Sequence, residues 1–177
     1  MGKKIGNFFN IEMKARYINP SYVRSVLKRL KADFKGTDHQ IDTYFKINNG
    51  RLKLRQGKIE NNLIFYKRDN KKGPKKADVI LYEVKDNEIK NILEKSLGIL
   101  CTVDKKREIY YIDNVKFHID KVKGLGNFIE IESKSGSRSK SAMLKQVRHY
   151  MKLFRIKEMD LVKNSYSDML MKKINTT

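Results

Sequence analysis

Residues 8–17, FFNIEMKARY, alternate with a period of two: Phe9, Ile11, Met13 and Ala15 are apolar, whereas Asn10, Glu12, Lys14 and Arg16 are polar or charged. Successive side chains point to opposite faces of a strand, so this segment reads as a strand with one oily and one charged face. A single strand of this kind would simply turn its polar face to water. Here the pattern recurs. Leu52 and Leu54 alternate with Lys53 and Arg55, and Lys105 and Arg107 share a face of residues 99–111. Phe117 and Ile119 alternate with His118 and Asp120, and Ile129 and Ile131 with Glu130 and Glu132.

The intervening segments read as follows. Asn19-Pro20-Ser21 starts a helix in which Tyr22, Val23, Val26, Leu27 and Leu30 recur at helical spacing to about Ala32. Residues 34–37, FKGT, are expected to close it. A second strand spans 40–47, and Asn48-Asn49-Gly50 turns it into a hairpin with 51–56. A fourth strand, 63–68, puts Lys67 on the face of Leu63 and Phe65, with Arg68 on the other. Residues 69–76, DNKKGPKK, form a basic loop, and 79–84 a fifth strand. Helices are expected over 88–97 and 139–153, a short closing segment over 165–170 and a frayed end over 172–177.

Strands joined as antiparallel hairpins, with helices set apart, indicate an α+β fold. About eight strands can close into a barrel. If the oily faces point outward against the helices, the charged faces line a tunnel. Glu12, Lys14, Arg16, Lys53, Arg55, Lys67, Lys105, Arg107, His118, Asp120, Glu130 and Glu132 would then face one another. Such a lumen is costly unless water or a ligand fills it. Many cations with a few carboxylates suit a polyanion carrying a divalent metal.

The chain of 177 residues is expected to form one domain over 1–177, with its core at about 8–170. Its net charge of +20 admits nucleic acid, a polyphosphate held in a cavity, or the lysine-rich usage of a low-GC genome. No helix-turn-helix, zinc motif or aromatic RNA-binding signature supports nucleic acid. Cys101 is the sole cysteine, which excludes a disulfide framework and a cysteine-rich zinc site and fits a reducing cytoplasm. It sits in apolar LGILCTV, where a small buried hydrophobe is expected rather than a catalytic thiol. No run of ~20 apolar residues suggests a membrane span. The N-terminus lacks a signal-peptide core, and Gly6 argues against myristoylation.

The first strand, QIDTYF at 40–45, LKLR at 52–55, the Lys105-x-Arg107 pair and the run from Ile119-Asp120 through Gly124-Leu125-Gly126-x-Phe128-Ile129-Glu130-Ile131-Glu132 together resemble the CYTH superfamily. That group is named for CyaB-type class IV adenylyl cyclases and thiamine triphosphatase, and includes the triphosphate tunnel metalloenzymes. The resemblance covers about residues 8–170. It implies an eight-stranded antiparallel β-barrel tunnel with flanking helices that binds a triphosphate with Mg²⁺ or Mn²⁺. It further implies Glu12, Glu130 and Glu132 as metal ligands, and Lys14, Lys53, Arg55, Lys67, Lys105 and Arg107 as phosphate ligands. Lys14, Arg107 and Asp120 would be catalytic.

The implied activity is metal-dependent chemistry on a triphosphate. ATP would be cyclised to cyclic AMP and pyrophosphate, or a nucleoside triphosphate, thiamine triphosphate or tripolyphosphate hydrolysed. A homodimer is suggested by analogy alone. Where the family signature reads Glu-x-Glu-x-Lys, this chain has Asn10-x-Glu12-x-Lys14. A neutral amide oxygen holds a hard cation less well than a carboxylate. The alternatives are therefore a tunnel that binds a nucleotide or polyphosphate with little or no turnover, and a basic nucleic-acid-binding protein.

Overall fold

The computed structural model describes residues 8–17, 19–85 and 88–175. The expectations for the leader and acylation, which rest on residues 1–7, lie outside these, as do residues 176–177 of the expected frayed end. Strands β1 (Phe8–Arg16), β2 (Asp33–Phe45), β3 (Arg51–Gln56), β4 (Asn62–Arg68), β5 (Lys75–Glu83), β6 (Ile99–Ile112), β7 (Val115–Val122) and β8 (Gly126–Lys134) close into a barrel. Their order is β1-β5-β4-β3-β2-β6-β7-β8, and every pairing is antiparallel. Helices α1 (Pro20–Arg29), α2 (Glu88–Leu97), α3 (Lys140–Leu153) and α4 (Tyr166–Ile174) flank it, with a 3-10 turn at Glu158–Asp160.

Several boundaries differ from the sequence expectation, each for a local reason. Helix α1 ends without glycine. Lys31 adopts φ +53°, and the Ala32 and Lys31 amides donate to the carbonyls of Leu27 and Lys28. This double closure is a Schellman cap. Gly36 is therefore not a helix stop. It lies at the register shift between Phe34 and Gly36 in the β2–β6 pairing, with φ +124°, where an extra residue bends the strand. Residues 34–37 thus belong to β2. Likewise β5 starts at Lys75, and α4 runs to Ile174 beyond the short segment expected. Helix starts follow the usual chemistry: Asn19 Oδ1 accepts the Tyr22 amide, Ser139 Oγ accepts that of Ala142, and Ser165 and Asp168 form a capping box.

The largest apolar cluster lies outside the barrel. Ile11, Met13 and Ala15 of β1, Phe117 of β7 and Ile131 of β8 pack against Val23 and Leu27 of α1 and Met143, Val147 and Phe154 near α3. Tyr150 meets Phe117 edge-on, with ring centroids 4.7 Å apart. Each such buried side chain contributes roughly 1.5–3 kcal/mol. A second cluster packs α2 residues Ile89, Leu93 and Leu97 on Phe45, Leu54 and Val84. A third lies on the inward faces of β6, β7 and β8 and sets Val103, Val122 and Phe128 against Tyr166, with half-buried Cys101 at its edge. Burial pushes the Cys101 thiol up to about 11. No described helix is long and apolar enough to cross a membrane.

Candidate functional site in the barrel lumen

With the oily faces outward, the alternate residues meet inside. Glu12 and Lys14 of β1 stand opposite Glu132 and Glu130 of β8, which stand in turn opposite Lys116 and His118 of β7. Arg107 of β6 faces Asp120 of β7. Across the lumen, Asp42 and Tyr44 of β2 face Arg55 and Lys53 of β3. Glu12, Lys14, Tyr44, Lys53, Arg55, Arg107, Lys116, Glu130 and Glu132 line a cavity of about 110 Å³, to which Ser165 and Tyr166 at the start of α4 also contribute. That is room for several waters or for phosphate groups.

The charges fall into three linked groups. In the first, Arg107 forks onto Asp120 (Nε–Oδ1 2.7 Å, Nη2–Oδ2 2.5 Å) and reaches Glu130 Oε2 at 2.7 Å. Lys14 Nζ lies 3.1 Å from Glu130 Oε1 and 3.6 Å from the ring centre of Tyr166, whose hydroxyl donates to Asp120 at 2.7 Å. Burial favours a neutral Glu130, but Lys14, Arg107 and His118 outweigh it and hold the carboxyl well below its usual range. For Lys14 burial prevails over Glu130, and its pKa is lowered. His118 is lowered too, by burial and then by Arg107 and Lys116.

In the second group, Asp42 collects Arg55 (Nε–Oδ1 2.9 Å), Lys53 (2.9 Å) and Lys105 (2.7 Å). Burial opposes its ionisation, yet these three cations keep its pKa well below normal. Lys105 is fully buried on Asp42 and is driven well below the usual lysine range by that burial. Glu60 joins this group from the turn between β3 and β4. It accepts from Arg55 Nη1 and Gln40 Nε2, both at 3.0 Å, and pairs with Lys116. Burial works against its charge, but Lys116 and Arg55 hold its pKa well below normal. The buried Asp38 carboxylate aims the turn by accepting the amides of Lys58, Ile59 and Glu60. A Cβ at Gly57 would stand 2.4 Å from Asp38 Oδ2, so only glycine fits there.

The third group is the ion pair of Glu12 with Arg68. Arg68 Nε is buried with no partner among the described residues, and so is Asn10 Oδ1.

The lumen therefore brings together Glu12, Lys14, Lys53, Arg55, Lys105, Arg107, His118, Asp120, Glu130 and Glu132. Two expected members are outside. Lys67 is exposed on the outer face, near Phe65 and Asp78. The segment LIFYKR is apolar on both faces, so its period alone does not choose the inner one. Ile64, Tyr66 and Arg68 turn inward instead. Arg16 is exposed and donates to the Leu125 carbonyl. Glu60, Lys116, Arg68, Tyr166 and Asp42 are not among the lumenal residues expected from the sequence. Lys116 could have been found, because it shares the period-two face of His118. Glu60 sits on a turn and carries no periodic signal. With Asp42 and Glu60 inside, the lumen is nearly balanced rather than strongly cationic.

The donor set suits a divalent cation. Glu130, Glu132 and His118 each offer one ligand atom, and the three atoms lie within 4.8 Å of one another. Hard cations take carboxylate oxygens, and imidazole nitrogen extends the range to transition ions.

Comparison with known proteins agrees with this architecture. The sequence profile of the CYTH domain matches residues 9–166. A protein of Methanocaldococcus jannaschii, provisionally described as an adenylate cyclase, is 27% identical over 170 residues, covering 90% of this chain and 97% of its own. A conserved hypothetical protein of Pyrococcus furiosus superposes with a TM-score of 0.76 at 22% identity, covering 90% of this chain and 98% of its own. An adenylyl cyclase homologue from Hippeastrum, described as having a dominant triphosphatase activity, superposes at 0.60 with 12% identity, covering 95% and 96%.

Proposed function

The chain belongs to the CYTH domain family, and from that premise we propose that its lumen binds a triphosphate with a divalent cation and hydrolyses it. The observation that carries this reading is the buried Lys14–Glu130–Arg107 constellation beside the open cavity. Fixed cations along one wall, with carboxylates beside them, are what a polyphosphate and its counter-cation require.

Lys14, Lys53, Arg55 and Arg107 would take the phosphate oxygens, the arginines as forks and the lysines as point charges. Asp42 and Asp120 hold these cations in place before the ligand arrives, so little reorganisation is needed as charge develops on the leaving phosphate. Asp120 is bound to Arg107 and Tyr166, which makes it a positioning residue for Arg107 rather than a free base. Glu130 and Glu132, with Glu12 opposite Glu132, would hold the cation. When bound, that cation supplies Lewis-acid polarisation and charge neutralisation at phosphorus. A cytoplasmic setting, where triphosphates abound and Cys101 stays reduced, suits this chemistry.

A second reading is cyclisation of ATP. Phe8, Ile64, Val79 and Leu81 form an apolar sector of the cavity that can receive a base. Asn10 and Asn62 line the same cavity, two residues along the strands from Phe8 and Ile64, and are the amide side chains a base there would meet.

The test is turnover of tripolyphosphate, thiamine triphosphate, ATP and GTP with Mg²⁺ and with Mn²⁺, separating released phosphate from cyclic nucleotide, in the parent and in Asn10→Glu. Phosphate release, enhanced by Asn10→Glu, is the expected result. Cyclic AMP would replace it with the second reading. Silence in the parent with activity in Asn10→Glu would identify a binding tunnel. No turnover and no triphosphate binding by calorimetry in either protein would overturn the proposal.

A further inference from the structure

The phosphate ligands do not explain the place of His118. It is buried on β7, and its Nδ1 lies 3.2 Å from Glu130 Oε2 and 3.7 Å from Glu132 Oε1. Three atoms bearing lone pairs, turned toward one another, can share a positive centre, either a proton on Nδ1 or a metal ion, beside the Arg107 Nη2 that lies 2.7 Å from Glu130 Oε2. Separations of 3.2 and 3.7 Å match those between donor atoms held about 2.1 Å from a common metal. The far nitrogen, Nε2, is buried with no partner among the described residues, so no second hydrogen bond accounts for the ring's placement. Glu12, the third ligand expected from the sequence, is instead tied to Arg68. Position 10, which carries a carboxylate in the family signature, offers only an unpartnered amide oxygen.

Resting on the triphosphate-and-cation reading above, we propose that the cation site of this tunnel is built from His118 Nδ1, Glu130 and Glu132. The site selects a first-row transition ion over Mg²⁺. Mg²⁺ favours an all-oxygen octahedral shell, whereas imidazole nitrogen suits the series from Mn²⁺ to Zn²⁺. Glu130 already shares its charge with Lys14 and Arg107, which weakens its hold on a hard ion further.

Pulsed EPR of the full chain with Mn²⁺, alone and with tripolyphosphate, reads the ligand atoms directly. The expected result is a ¹⁴N coupling to Mn²⁺ that disappears in His118→Ala and persists in a His39→Gln, His149→Gln double variant, both of whose sites are exposed. The double variant assigns the coupling even if His118→Ala does not fold. Mn²⁺ should bind on the order of tenfold more tightly than Mg²⁺, and Glu132→Gln should lose at least about tenfold in Mn²⁺ affinity, since even outer-shell changes cost that much. Bound Mn²⁺ without nitrogen coupling, or with coupling that survives in folded His118→Ala, overturns the site. Tripolyphosphate binding with no Mn²⁺ binding overturns the site and leaves the tunnel reading standing. If neither binds, both fall.

Discussion

Glu60, on the turn between β3 and β4, ion-pairs with Lys116 of β7, three strands away in the barrel order. The same carboxylate takes Arg55 and Gln40. It thus holds cations that a phosphate would otherwise hold. Glu60→Gln should raise tripolyphosphate affinity by about tenfold, ~1.4 kcal/mol. The free variant should melt lower because Lys116 loses its partner, and added tripolyphosphate should restore the loss. Calorimetry and thermal melts with and without the ligand check both halves; weaker binding would show that Glu60 helps the ligand instead.

Asp42 neutralises Lys53, Arg55 and Lys105 in one buried cluster. Breaking a buried pair by removing one partner costs about 3–5 kcal/mol. Asp42→Asn should lose that much in urea unfolding and regain part of it in sulfate or tripolyphosphate. An unchanged midpoint would mean that water already carries the charge.

Asp42, Glu60 and Glu130 all have pKa values well below the ordinary carboxylate range. A depressed folded-state pKa contributes stability that is complete above the unfolded value, about 4, and is lost as pH falls from there toward the folded value. Chemical unfolding should therefore give a shallow decline below about pH 6.5, where unfolding lets the lowered His118 take up a proton, and a steeper decline below about 4. Glu60→Gln should make that acid decline shallower.

Lys67 and Lys116 separate surface charge from lumenal charge. Lys67→Ala should leave tripolyphosphate affinity unchanged at moderate salt, whereas Lys116→Ala should weaken it on the order of tenfold, as loss of a charge-assisted bond does. Equal effects would indicate binding to the basic exterior.

Phe117 is fully buried between the barrel wall and α3. Phe117→Ala should cost about 3–5 kcal/mol by unfolding, the usual penalty for a buried aromatic. A cost below ~1 kcal/mol would place the stabilising core elsewhere.

The barrel was legible because its strands repeat one rule, oily out and charged in, which holds over residues 11–14, 52–55, 117–120 and 129–132. Phe117 against His118 and Ile131 against Glu132 are cases where period two was sufficient. It was insufficient where both faces are apolar, as at Leu63–Tyr66, and there Lys67 and Arg68 exchanged places. Gly36 misled because a bulge and a helix stop use the same residue for the same positive φ. Glu60 and Tyr166 reach the lumen from a turn and a helix start, so only tertiary structure reveals them.

Strand β1 pairs with β5 on one side and β8 on the other. Strand β1, made before the other seven strands of the barrel, therefore waits for residues 126–134 before it has both neighbours. Until then the oily stripe of Ile11, Met13 and Ala15 lacks its β8 wall and α3. Long-range pairing of this kind folds slowly and leaves unpaired edges open to association. Lys14 and Glu130, paired across that seam, thus meet only after seven other strands have been made, so the charge constellation of the lumen is a late product of folding.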